Sequence, residues 1–412
     1  MANQDILCRF AETKGSFASN GKNRQYLHSQ LFSMEKSKVY FSDFHTVALG
    51  DGIPKKLYKL VKEAGICNID MKGKFVAIKT HFGELGNLGF LRPNYDRVLV
   101  DIVKEMGGKP FLVDCNTLYV GSRKNAIEHL YCAWENGFTP MTVGCPLIIA
   151  DGLKGTDDVA VPVKNGEYIK EALIGRAIMD ADIIITLSHF KGHENVGFGG
   201  CIKNVGMGCA SRAGKMVQHN HGKPQINQDL CQGCRLCQKA CASNALVFDE
   251  KTRKMDVDLE KCVGCGRCIG ACNFDAVGFL EYNANDLLCR RMAEYAKAVL
   301  DGRPSFHVCV VRDISPNCDC HCENDVAILP DVGMFASYDP VALDWACVDA
   351  CLAATPLPGS QLYNNMHKPG FVDHHDHFKN SNPEIEWRAC LEQAEKIGLG
   401  SREYELIKFG CH

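Results

Sequence analysis

The sequence predicts an α/β protein, a parallel and helix-covered sheet that hosts a small inserted α+β domain. Three observations predict it. Short apolar runs alternate with helical patterns over residues 38–225, a cysteine repeat interrupts that alternation over residues 226–282, and strand and core-helix patterns resume beyond the repeat. Strand alternating with helix is the signature of a parallel sheet covered on both faces.

The first 33 residues are polar and lack the apolar stretch of a signal peptide, so they are expected to form a poorly ordered extension. MEKSKVYFSDF then reads as a first strand, and KFVAIKTHF, PFLVDCNT, PLIIAD and DIIITLSHF read as buried strands. Between them NYDRVLVDIVKEMGG, KNAIEHLYCAWENG and GEYIKEALIGRAIMDA space their apolar residues by three and four, which predicts helices. Gly107, Gly108 and Gly137 stand where helices end. After the repeat, NDLLCRRMAEYAKAVLDG puts Leu288, Met292, Tyr295 and Val299 on one helical face, and FHVCVVRDI resumes a strand. In DPVALDWACVDACLAA, Asp339 is a helix cap and Pro340 a first helical residue; the apolar surround predicts a core helix. The host domain is therefore expected over 34–225 and 283–412, with 226–282 inserted.

Of 412 residues 46% are apolar and the net charge is −3, so neither a nucleic-acid nor a membrane-surface footprint is predicted. No apolar run approaches the ~18 residues of a membrane helix. Twenty-four cysteines without an export signal point to metal binding in a reducing, cytoplasmic compartment rather than to disulfides.

The cysteine repeat is written CQGCRLCQKACASNALVF from Cys231 and CVGCGRCIGACNFDAVGF from Cys262. Each half is C-x2-C-x2-C-x3-C. Three such close thiolates wrap one 4Fe-4S cluster and the fourth reaches its twin. Cys231, Cys234, Cys237 and Cys272 are thus assigned to one cluster, and Cys262, Cys265, Cys268 and Cys241 to the other. Two zinc sites are the competing reading, but zinc usually takes separated C-x2-C pairs. This segment resembles a bacterial two-cluster ferredoxin domain, although Ala242 and Asn273 stand where that family has proline. Its charges are nearly balanced, which suits an internal wire better than a free carrier.

SHFKGHENVGFGGCIKNVGMG, residues 188–208, follows a strand and so lies at the end of the sheet where ligands bind. It is neither a Rossmann fingerprint nor a Walker A loop. Its clustered glycines would let backbone amides approach a ligand. His189, Lys191, His193 and Lys203 offer protons, positive charge or metal ligands. Arg92 suits a carboxylate clamp. In NCDCHCEND, Cys318, Cys320 and Cys322 alternate, so a strand would aim all three thiols at one face as a possible additional metal or cluster site, or as redox-active thiols.

Two further resemblances concern the host. Most of residues 34–412 is similar to an uncharacterised bacterial and archaeal iron–sulfur family, a domain of unknown function with an inserted ferredoxin. The shared marks are FGGCIKN, Cys318-Asp319-Cys320 and PDVGMFASYDPVALD. More locally, DADIIITLSHFKGHENVGFGGCIKN resembles nickel-pincer lactate racemases, where a His lies ten residues before a cofactor-bearing Lys, as His193 lies before Lys203. Arg92-Pro93 resembles that family's substrate-contacting Arg-Pro. The match is short, and nickel is not carried over.

The function expected is an iron–sulfur oxidoreductase. Two 4Fe-4S clusters, reduced by a partner such as a ferredoxin, flavodoxin or reductase, serve a small anionic substrate beside residues 188–208. Arg92 and Lys203 hold the anion and His189 or His193 moves protons. The alternatives are a non-catalytic electron-transfer subunit and a racemase-like or metal-handling enzyme with structural clusters.

Overall fold

IIITL opens the longest strand, apolar without alternation because a sheet covered on both faces has no polar side to offer. The computed structural model describes residues 36–46, 49–118, 121–220, 223–279, 285–323 and 325–410. The extension expected over residues 1–33 lies outside them.

Eight strands form the main run of the sheet: β1 Ser37–Ser42, β2 Phe75–Lys79, β3 Lys109–Asp114, β4 Leu147–Ile149, β5 Ile183–His193, β6 Ser305–Val311, β7 Gly333–Ser337 and β8 Tyr404–Lys408. Their spatial order is β8-β1-β7-β6-β5-β2-β3-β4. All are parallel except β7, which runs antiparallel to both β1 and β6. All 11 residues of β5 are buried. Alternation divides the strands between two cores: Ala77, Val113, Ile184 and Cys309 face one, while Val76, Ile78, Leu112, Ile183, Ile185, Val308 and Val310 face the other. Each buried Val, Leu or Ile among them contributes roughly 1.5–3 kcal/mol.

The helices Pro93–Glu105, Ala126–Glu135 and Asn285–Leu300 form where the apolar spacing places them. Asp339 caps the core helix Pro340–Leu352 by accepting from Val341 N at 2.8 Å and Ala342 N at 3.0 Å. One expected helix differs. In GEYIKEALIGRAIMDA, Glu171–Gly175 is a strand paired antiparallel with Asp158–Pro162, and only Arg176–Met179 is helical. Ala172 and Ile174 are its fully buried residues, a period of two that the helical spacing masked.

Over residues 224–279 the chain leaves the main sheet. Two antiparallel pairs, Leu246–Asp249 with Lys254–Val257 and Pro224–Ile226 with Val277–Phe279, accompany two short helices, Leu236–Ala240 and Arg267–Ala271. These small sheets are consistent with an inserted domain. Among the described residues no helix is long and apolar enough to cross a membrane.

The connections fix where a ligand can sit. From β2 the chain steps outward to β3 and β4, then returns to β5 on the opposite side of β2. The carboxyl ends of β2 and β5 therefore diverge into a crevice, the usual ligand position in such sheets.

Candidate functional site

Residues 188–208 are not the loop that the glycines suggested. β5 continues through His193, turns back as the short antiparallel strand Gly197–Gly199, and enters the helix Cys201–Gly206. Several of the glycines serve packing, while Gly199, Gly200 and Gly208 also line a pocket. A Cβ at Gly192 would lie 2.6 Å from Ser315 O, at Gly200 2.5 Å from Asp344 Oδ1, and at Gly206 2.1 Å from Met292 O. The protein's own atoms fill the room each glycine leaves, so the hairpin and helix can press against the core. Asp344 fixes the start of that helix, accepting from Cys201 N at 2.6 Å and Ile202 N at 2.9 Å. Burial pushes the Asp344 carboxyl up to about 7, against the pull of those two amides.

Asn204 ties the helix to the sheet. Its Nδ2 donates to Lys79 O and Leu187 O, both at 3.1 Å, and to Ser188 Oγ at 3.0 Å, while its Oδ1 accepts from Lys79 Nζ at 2.7 Å. Lys79, at the end of β2, pairs with Asp114 at the end of β3, 3.1 Å away and buried. Asp114 is held well below the usual carboxylate range although burial alone would raise it, with Lys79 the leading counterweight.

These ends open into a pocket of about 560 Å³ lined in part by Lys79, Arg123, Lys191, Lys203 and Lys215, with Asp114 and Asp319 as its carboxylates. Five cations face two carboxylates and the Cys318 sulfur, so basic side chains are in excess. Asp114 already neutralises Lys79, and Arg123 donates to the buried Glu84 at 3.0 Å. The cations left without a carboxylate partner on this wall are Lys191, Lys203 and Lys215.

Cys318 meets that charge first. Its Sγ lies 3.4 Å from Lys203 Nζ and 3.6 Å from Lys191 Nζ. The Cys318 thiol is held well below its ordinary range by a hydrogen bond from Cys320, then by Lys191 and Lys203, in spite of full burial. Cys320 is pushed up as the donor of that pair. The three thiols do not share a face. Residues 315–322 form turns rather than a strand, with His321 N donating to Cys318 O at 3.1 Å. Cys318 and Cys320 turn inward, whereas Cys322 is exposed and donates to Glu323 at 3.0 Å. The period of two fails because the backbone closes on itself.

The other expected residues fall as follows. His189 lines the pocket, but both its nitrogens are engaged, Nδ1 with Asp319 Oδ2 at 2.8 Å and Nε2 with Arg312 O at 2.6 Å. It holds the Cys318-Asp319-Cys320 turn against β5. Asp319 Oδ1 is buried on the same wall without a partner. The Asp319 carboxyl lies at about 2, lowered by His189 and Lys191 against the upward push of burial. His193 lines a neighbouring cavity of about 680 Å³ that shares Lys203, Met207, Lys215 and Cys320 with the first. There Glu194, Cys320 and His321 bring one ligand atom each to within 4.8 Å of one another, a group that could hold a metal ion. Arg92 is exposed, precedes the helix Pro93–Glu105 and does not line the pocket. Its place as the pocket's guanidinium is taken by Arg123, whose NH1 donates to His81 Nε2 at 2.9 Å. Lys79, Asp114, Arg123, Asn204 and Lys215 were missed as site residues. For Lys79 and Asp114 a signal existed, since each is a charge that closes an apolar run, FVAIK and PFLVD.

In residues 224–279, six of the eight repeat cysteines (Cys231, Cys237, Cys241, Cys262, Cys268 and Cys272) gather in a core with Leu118, Met216, Ile226 and Ile269. Cys272, Cys234 and Cys231 are the thiols whose charge acts on Cys237, while Cys265 and Cys262 act on Cys268 beside Cys237. Backbone amides face the sulfurs: Met255 N donates to Cys231 Sγ at 3.4 Å and Ala245 N to Cys241 Sγ at 3.3 Å. An all-thiol donor set with amides aimed at sulfur fits 4Fe-4S clusters.

A family model described as a domain of unknown function (DUF362) matches residues 76–349. The chain belongs to the DUF362 family. The matched span runs from the strand carrying Lys79 into the core helix, and so takes in both the pocket and the cysteine repeat of this DUF362 protein. No protein of curated function matches. Two solved structures are distantly similar. One is a Thermotoga maritima protein, 14% identical over 73% of this chain and 57% of that one, with a TM-score of 0.37. The other is the lactate racemase apoprotein from Thermoanaerobacterium thermosaccharolyticum, 13% identical over 66% of this chain and 51% of that one, with a TM-score of 0.35. The chain spans little more than half the length of each.

Proposed function

We propose that this DUF362 protein is an iron–sulfur oxidoreductase acting on a small anion in the pocket between β2 and β5. When bound, 4Fe-4S clusters on Cys231, Cys234, Cys237 and Cys272 and on Cys262, Cys265, Cys268 and Cys241 supply single electrons, with a small redox protein as their external source. One observation carries the reading. The helix Arg212–Asn220 sends Lys215 into the pocket and Met216 into the cysteine core, so the two halves of the chemistry meet across one helix. Lys191, Lys203 and Lys215 hold the anion in a low-dielectric site, where fixed charge acts strongly. The unpartnered Asp319 Oδ1 asks for a donor, so the ligand carries an N–H or O–H beside its negative charge. The Cys318 sulfur, set between two lysines, is poised beside that ligand.

The test begins with anaerobic purification. About eight irons and eight acid-labile sulfides per chain are expected for two such clusters. Addition of small carboxylates and phosphates to the dithionite-reduced protein should then find one that speeds its reoxidation, an effect lost in Lys203→Met. Stoichiometric zinc with little iron would overturn the reading. A second reading, a metal-handling enzyme, is favoured by the Glu194, Cys320 and His321 group; a further metal lost in Cys320→Ala with iron unchanged would support it.

A further inference from the structure

The two halves of the cysteine repeat are not equivalent, and two of the positions at which they differ face the host. Aligned at their offset, Gly266 and Gly270 of the second half face Arg235 and Lys239 of the first. Arg235 and Lys239 are exposed, and Arg235 lies over the Phe248 ring and pairs with Glu250 at 3.2 Å. At the two glycines something else occupies the space. A Cβ on Gly266 would stand 2.7 Å from Arg212 Cγ, and one on Gly270 would stand 2.3 Å from Arg212 NH1. The host domain presses an arginine onto the second half through room that only glycine leaves.

Arg212 is 1% exposed. Its NH1 donates to Lys154 O at 2.8 Å and its NH2 donates to Lys124 O. Its Nε is buried with no partner in the protein. Such an orphan donor calls for an acceptor that is not protein. Cys268 and Cys265 are among the charged groups acting on the guanidinium, so the sulfurs of that half are near it. One turn along the same helix Lys215 enters the pocket, and a further link, Lys124 to Asp275 at 3.0 Å, joins the host to the segment just after Cys272.

We propose that Arg212 is a positioning residue for the cluster held by Cys262, Cys265, Cys268 and Cys241, to whose sulfur its Nε donates, and that it makes this cluster the higher-potential member of the pair. The inference rests on the iron–sulfur reading above. Potential is set by net charge, hydrogen bonds to sulfur and solvent exposure. A one-electron reduction adds negative charge, which a buried, desolvated cation stabilises. The solvated Arg235 and Lys239 are screened and do so weakly. The order of potentials gives the chain a direction. The cluster of Cys231, Cys234 and Cys237, with Cys234 exposed, is the entry face for the reducing protein, and its twin packs on Arg212, three residues before the pocket-lining Lys215.

The experiment is an anaerobic redox titration of the full chain with dithionite, followed by electron paramagnetic resonance, on wild type, Arg212→Gln, Arg212→Lys and Arg235→Gln. Wild type should show two resolved one-electron steps. Arg212→Gln should lower the upper step until it merges with the other, Arg212→Lys should fall between, and Arg235→Gln should leave both in place. Should Arg212→Gln fail to fold, Gly270→Ala displaces the guanidinium and the upper step should fall there too. Unchanged potentials in iron-loaded Arg212 variants, or movement of the lower step alone, would overturn this inference and leave the iron–sulfur reading standing. A wild-type chain that binds no 4Fe-4S cluster would overturn both.

Discussion

Lys203 Nζ lies 3.4 Å from Cys318 Sγ, across a contact between the helix after the hairpin and a turn more than a hundred residues later in the chain. Thiolates, not thiols, react with alkylating agents, and a neighbouring ammonium favours the thiolate. Cys318 of the chelator-treated chain, which lines the pocket, should therefore be alkylated by iodoacetamide at pH 6.5 faster than its neighbour Cys320. Lys203→Met removes one of the two cations that favour the thiolate and should slow that labelling. Peptide mass spectrometry with time reads it directly. Equal rates in the two proteins would show that the lysine does not act on the sulfur.

Asp344 gives the fold a pH dependence of definite sign. Its carboxyl is raised from 3.8 to about 7 by burial. Between those values the folded state binds a proton that the unfolded state has lost, so stability falls as pH rises through that window and levels off above it. Each unit of displacement is worth about 1.4 kcal/mol. Asp344→Asn leaves one of the two amides, Cys201 N or Ile202 N, with an acceptor, so it should be less stable than wild type at pH 5. Its melting temperature should nevertheless drop less than that of wild type between pH 5 and pH 8.

The buried pair of Lys79 and Asp114 predicts a non-additive cycle. Lys79→Met strands a carboxylate, and breaking such a pair costs about 3–5 kcal/mol. The lower end is expected, because His129 at 3.6 Å and Arg123 at 3.9 Å remain beside Asp114. The double variant Lys79→Met/Asp114→Asn should recover most of the loss in urea unfolding. Simple addition of the two single effects would mean the charges are not coupled.

How far these features were legible in the sequence depends on the range of the interaction behind them. Alternation and helix period gave the strands and most helices because burial on one face is a local pattern. The cap at Asp339 was legible for the same reason. Glu171–Gly175 was not, since its partner strand decided its conformation. The hairpin at residues 188–199 was hidden because glycine reads equally as freedom to meet a ligand or as room for the chain itself. Here the carbonyls of Ser315 and Met292 and the carboxylate of Asp344, all distant in sequence, take the space. Lys203 was marked by its own setting, but its sulfur partner and the exclusion of Arg92 from the pocket follow from turns that no spacing rule encodes.

The crossed assignment of the cysteines can be tested by iron content alone. If Cys231 and Cys272 serve one cluster, as the proximity of both to Cys237 supports, then Cys231→Ala/Cys272→Ala damages only that cluster. About four irons should remain, with the spectrum of a single 4Fe-4S centre. Cys231→Ala/Cys241→Ala, which removes the same number of thiols from the same short segment, strikes both clusters and should leave almost none. An uncrossed arrangement, each half keeping its own four thiols, predicts the reverse outcome for the two variants. Folding losses would lower both alike, so the ordering of the two iron contents, rather than either value, decides between the arrangements.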